Sequence, residues 1–239
     1  MFQPFPIGDA KTLPRWRRSI PLLFLMAIAM PIAFQSWWAL LNNFIIEVGG
    51  FDGADNGLLH TVREIPGFLA VGVIFIIMFI REQVLGLMSL ILLGVATALT
   101  AQFPQFGGIL VLTLLSSIGF HYYETVNQSL QLQWLKKETA PQMLGWLVAA
   151  GSAVTFVVYL IITLMWDSYG LSYNSVFMVG GGLTALIARF ALFAYPQFEA
   201  PNPQIKKMVL RRRYWRYYAL QFMSGARRQS FMVFAAFMM

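Results

Sequence analysis

Apolar residues run along this chain in seven long stretches, 20–46, 57–80, 84–102, 107–135, 141–166, 173–195 and 215–239. Each is close to the ~20 residues that a helix needs to cross the hydrocarbon core of a bilayer. Inside lipid, only helices and closed barrels satisfy every backbone group. These stretches are continuous rather than alternating, so they predict helices and exclude barrel strands. Polar residues return with a period of three. The first stretch holds Gln35, Asn42 and Asn43; the fourth holds His121, Glu124, Asn127, Gln128 and Gln131; the seventh holds Gln221, Arg227, Arg228 and Gln229. The other four are mostly apolar or small. Polar groups at membrane depth face a bundle interior or a wet cavity. Three-helix repeats whose leading helices line one shared path would produce this spacing.

Composition agrees with a membrane protein: 58% of residues are hydrophobic and 11% charged, with a mean hydropathy of +0.64. The first apolar stretch is too long for a signal-peptide core and lacks a small-residue cleavage site after it. The chain has no cysteine, and its two histidines, His60 and His121, fall in different stretches without a second metal-type ligand at helical spacing. Neither a metal nor a cofactor is expected from this set.

The net charge of +7 is unevenly distributed. Lys11, Arg15, Arg17 and Arg18 precede the first stretch, Arg81 follows the second, and Lys136 and Lys137 follow the fourth. Lys206, Lys207, Arg211, Arg212, Arg213 and Arg216 cluster before or at the start of the seventh. The alternate loops hold Glu47, Asp52, Asp55 and Asp167 and no Lys or Arg. This asymmetry predicts a cytoplasmic N-terminus. The basic residues then read as topology signals and lipid-headgroup contacts, not as a nucleic-acid site. Compact loops suggest a bacterial inner (plasma) membrane.

The expected organisation is a cytoplasmic segment 1–19, a six-helix transmembrane domain 20–195, a basic cytoplasmic linker 196–214 with Pro196, Pro201 and Pro203, and a further helix 215–239. Because the chain stops on Phe237-Met238-Met239 within an apolar run, that last helix is expected to open a truncated second domain, whose remainder would be a partner of this one. Small residues four apart, Gly94 with Ala98 and the series Gly145, Ala149, Ala153, are expected to mark close helix packing.

At about 100° per residue, Ser117, His121, Glu124, Gln128 and Gln131 share one stripe of the fourth helix. That stripe reads either as the wall of a solvated pathway or as a hydrogen-bonded seam between helices. Glu124 lies about 18 Å of helical rise from Lys136, and Arg228 lies as far from Arg216, so the two charges reach a common depth. Gln221 shares a face with Arg228, and Gln35 and Asn42 share a face of the first helix with Trp38 at its margin. The expected substrate-binding set is Gln35, Asn42, His121, Gln128, Gln131, Gln221 and Arg228, with Glu124 and His121 carrying a coupling proton. Arg63, Arg81 and Arg227 are candidates for a gate or structural ion pairs. Arg63 and Glu64 are adjacent and expected to diverge rather than pair, with Arg63 reaching outward near the outer end of the second helix.

Six helices, a basic linker and a seventh helix, with both ends of the unit inside, resemble the N-terminal half of a major facilitator superfamily transporter. The resemblance covers essentially the whole chain and rests on architecture. In the loop where that family carries a Gly-x-x-x-Asp-Arg-x-Gly-Arg-Arg pattern, this chain reads Phe79-Ile80-Arg81-Glu82-Gln83-Val84-Leu85-Gly86. Arg81 would match a terminal basic position, while the Asp and Gly are missing. What the resemblance implies is an all-α polytopic membrane protein: a six-helix bundle of two inverted three-helix repeats, plus the first helix of a second bundle. It implies a secondary transporter moving a small polar or anionic solute by alternating access with proton coupling, and not an enzyme. Two alternatives remain open at this point. A membrane-embedded enzyme on lipid-linked substrates would draw on Asp52 and Asp55. A seven-helix sensor of the retinal type would need a lysine that 215–239 lacks.

Overall fold

The computed structural model describes residues 13–199 and 211–224. Six helices in it are long and apolar enough to cross a membrane. They are built on α1 (Ser19–Glu47), α2 (Gly53–Leu69, its span carried on to Ile76), α3 (Glu82–Leu99, carried on to Gln102), α4 (Phe106–Trp134), α5 (Ala140–Trp166) and α6 (Tyr173–Ala194). The described residues contain no strand. The chain is thus an all-α, multi-pass integral membrane protein. Residues 215–224 are helical and exposed throughout. The rest of the seventh apolar stretch, with Arg227 and Arg228, lies outside the described residues.

Local chemistry explains where the elements begin and end. The second helix starts four residues before the apolar pattern does, because Asp52 and Asp55 form a reciprocal cap. The Asp52 side chain accepts from the Ala54 and Asp55 amides at 2.8 and 2.9 Å. It does not continue as one regular helix to residue 80. A 3-10 turn (Ala70–Gly72) and one short α-turn (Val73–Ile76) complete it. Ser172 and Ser175 cap α6 in the same reciprocal way.

Within α1, Pro31 removes one amide from the ladder. Thr184 of α6 enters the ladder nearby. Its hydroxyl donates to the Ala29 carbonyl at 2.7 Å and accepts from the Ala33 amide at 3.1 Å.

The packing is built on backbone contact. A Cβ on Gly94 of α3 would strike the backbone of Gly181 and Ala185 in α6, and one on Gly181 would strike Gly94 and Ala98. Gly119 of α4 lies equally close to Ser89 and Leu93 of α3, and Gly180 of α6 to Ser36 of α1. The small pair expected at Gly94 and Ala98 is therefore a helix crossing. The series in α5 is not. Gly145 faces open space, Ala149 and Ala153 are exposed, and Leu147 is the sole buried residue of that helix. The principal pairs are α1 with α5 and α6, α4 with α2 and α3, and α3 with α6.

Two apolar cores result. One gathers Leu22, Met26, Ala33, Leu90, Tyr123 and Leu130; the other gathers Trp37, Leu41, Phe44, Leu59, Ile109 and Phe177. At the first core's end, Gln83 holds residues of the expected linker, donating to the Pro196 carbonyl at 2.9 Å and accepting from the Phe198 amide at 3.1 Å. Rings stack edge-on there between Trp134 and Phe198 and between Trp16 and Tyr195. At the opposite end Tyr173 donates to Glu47 at 2.6 Å and packs on Trp166.

Candidate functional site

Where one core gives way to the other, α1, α2, α4 and α5 enclose a cavity of about 720 Å³. Along α1 the first core ends at Ala33 and the second begins at Trp37. Phe34, Gln35, Trp37 and Trp38 line the cavity at that junction. From α4 come Thr113, Ser116, Ser117, Phe120, His121, Glu124, Thr125 and Gln128, which repeat at three- and four-residue steps as one helix face requires. Arg63 and Glu64 of α2 and Tyr159 of α5 complete the wall.

Arg63 organises this site. Its guanidinium lies over the Trp38 ring, 4.7 Å from the centroid. Nη2 and Nε donate to Oε1 of Glu64 at 2.9 and 3.1 Å. Its backbone carbonyl accepts from the Ser117 hydroxyl, which ties α2 to α4. The side chains are only 12% and 31% exposed, so the charges meet largely out of water. Here the structure corrects two expectations. Adjacent residues on a helix do pair, because the long Arg63 side chain folds back along Trp38 to reach Glu64. Arg63 also faces the cavity rather than reaching outward: α2 begins at Gly53, which puts it about 15 Å of helical rise into the span.

The other groups have defined partners. Gln35 accepts from the Tyr159 hydroxyl at 2.6 Å, joining α1 to α5. His121 packs on Gly67 of α2, where a Cβ would come within 3.2 Å of its ring. Phe34 stacks with Phe120 at 4.6 Å and with Trp38 at 6.0 Å, so the three rings form one parallel stack in the wall. Thr125, Gln128 and Tyr159 are exposed, whereas Trp37, Thr113, Ser116 and Ser117 are buried at its floor.

Of the residues singled out from sequence, Gln35, His121, Glu124 and Gln128 meet here, joined by Arg63. Asn42 is exposed nearer the far end of α1 and is not in the wall. Gln131 is half-buried and also outside it, because α4 leaves the cavity after Gln128. Gln221 is exposed in the helical segment 215–224. Arg81 precedes α3 as its N-terminal cap position, away from the cavity. Arg227 and Arg228 lie outside the described residues.

Sequence reasoning missed Glu64, Thr113, Ser116, Phe34, Phe120 and Tyr159. Thr113 was within reach, being four residues before Ser117 on the same stripe. Tyr159 and the two phenylalanines carry no such signal, since aromatic residues on membrane helices face lipid as often as a cavity. Set side by side with known proteins, the chain matches no family model, no curated protein and no solved structure.

Proposed function

We propose that this chain is a secondary transporter, moving a small polar or anionic solute across a membrane by alternating access. The observation that carries this reading is the cavity itself. In helices of membrane length, four of them bring a guanidinium, two carboxylates, an imidazole and two amides to one space at mid-span. Ionisable groups at that depth are costly unless they serve a pathway or a ligand.

The helix pairing supports the repeat architecture of the major facilitator superfamily. Exchanging α1 with α4, α2 with α5 and α3 with α6 turns α1–α5 into α4–α2 and α1–α6 into α4–α3, and leaves α3–α6 unchanged. Two three-helix repeats would give that correspondence. The α1–α3 contact departs from it, having no α4–α6 counterpart of similar extent. In this reading the exposed groups Thr125, Gln128 and Tyr159 face a second bundle, and rocking between the two bundles opens the cavity to each side in turn. Arg228 would enter at the depth of Glu124 from that second bundle, attracting an anionic group, and Glu124 with His121 would carry the coupling proton. The N-terminus is cytoplasmic, as the basic loops direct.

The absence of cysteine gives a clean test. Single cysteines replacing Glu124 and Gln128 should react with membrane-impermeant thiol reagents from both sides of sealed vesicles. Protection from both sides would end the transporter reading. For coupling, Glu124→Gln should abolish the pH dependence of solute uptake, and unchanged pH-dependent uptake would remove the proton from Glu124.

A further inference from the structure

Three hydrogen-bonding atoms in the cavity wall are buried without a partner among the described residues: Nη1 of Arg63, Nε1 of Trp37 and Oγ1 of Thr113. Trp37 and Thr113 are 2% and 1% exposed. The three come from different helices but share one neighbourhood. Arg63 touches α1 through Trp38, next to Trp37, and touches α4 through Ser117, one turn from Thr113. Guanidinium and indole nitrogens can only donate, and a hydroxyl can join them. Buried donors of this kind are costly until an acceptor arrives, and beside a cation the favoured acceptor is an anion.

We propose that the cavity binds an organic anion, with its acid group at the Nη1 edge of Arg63 beside Trp37 and Thr113. This names the substrate class of the transporter reading and rests on it for the fate of the bound molecule. Charge balance adds a consequence. The titratable and charged groups around this space are His60, Arg63 and Glu64 from α2, His121 and Glu124 from α4, and Tyr159 from α5; α1 contributes neutral side chains. A bound anion would join two carboxylates around one guanidinium. The ligand and Glu64 then compete for the Arg63 guanidinium, and Glu64's hold on it is exchanged for the ligand's.

The test uses the purified full chain in detergent, with quenching of tryptophan fluorescence as the readout. Benzenesulfonate is the probe, because it stays ionised from pH 6 to 8. It should bind, and benzyl alcohol and benzyltrimethylammonium should not. Glu64→Gln should bind it at least tenfold more tightly, and Arg63→Gln should lose it. Equal binding of benzyl alcohol, preference for the cation, or no binding of benzenesulfonate to the unaltered chain would each overturn the inference, whether or not the variants fold. If benzenesulfonate fails to bind while cysteines at 124 and 128 label from both sides, the ligand class falls and the transporter reading stands. If those positions are also sealed, both fall.

Discussion

At the scale of single residues, what holds this bundle together is polar groups placed where the apolar pattern gives no sign of them. Thr184 is fully buried and lies in a helix whose sequence reads as small and apolar. Its hydroxyl is inserted between the Ala29 carbonyl and the Ala33 amide of α1, two residues to either side of Pro31. Inserted side chains and prolines are the ordinary causes of an interrupted helical ladder. Thr184→Val keeps the shape but leaves that carbonyl and amide without the bridging hydroxyl. The expected loss is about 1–3 kcal/mol, read as a lower unfolding temperature in detergent, while Thr184→Ser should stay close to the unaltered chain. The same scale limits what sequence reveals of the site. The stripe from Ser117 to Gln128 is legible because its residues are polar and regularly spaced. Arg63 with Glu64 is not, because helical geometry sends adjacent residues about 100° apart and says nothing of a side chain long enough to fold back.

At the scale of elements, the helices themselves are legible and their faces are not. Predicted stretches and observed helices mostly agree to within a residue or two at each end, since ~20 apolar residues leave little choice in a bilayer. The exception, α2, departs at both ends: the Asp52–Asp55 cap starts it before the apolar run, and its regular helix stops at Leu69. Small residues four apart occur in both α3 and α5, yet only the first set is a crossing. No feature of the local sequence separates them, because the difference lies in which helix arrives opposite. A paired substitution exposes this. Gly94→Ala puts a methyl group into the Gly181 and Ala185 backbone and should cost about 1–3 kcal/mol. Gly145→Ala meets nothing within 4 Å and should be neutral or gain up to about 1 kcal/mol from helix propensity. Thermal unfolding of the two variants side by side checks both signs, and equal destabilisation would contradict the packing described.

At the scale of the whole molecule, the two ends of the bundle differ in charge, and that difference predicts its orientation. Gln83, Trp134, Trp16 and residues 195–198 come together at one end. Arg15, Arg17, Arg18, Arg81, Lys136 and Lys137 flank these same helix termini. Glu47 and Tyr173 meet at the other end, near Asp52, Asp55 and Asp167. Loops rich in Lys and Arg are retained on the cytoplasmic side, and acidic residues contribute little to that choice. The short loops bring every one of these charges within reach of a helix end, where the rule is strongest. In intact cells, cysteines replacing Asp55 and Asp167 should therefore react with an impermeant maleimide, and one replacing Lys137 should react only after permeabilisation. The reverse pattern would invert the molecule and move Glu82, Ser129 and Gln133 to the outer face.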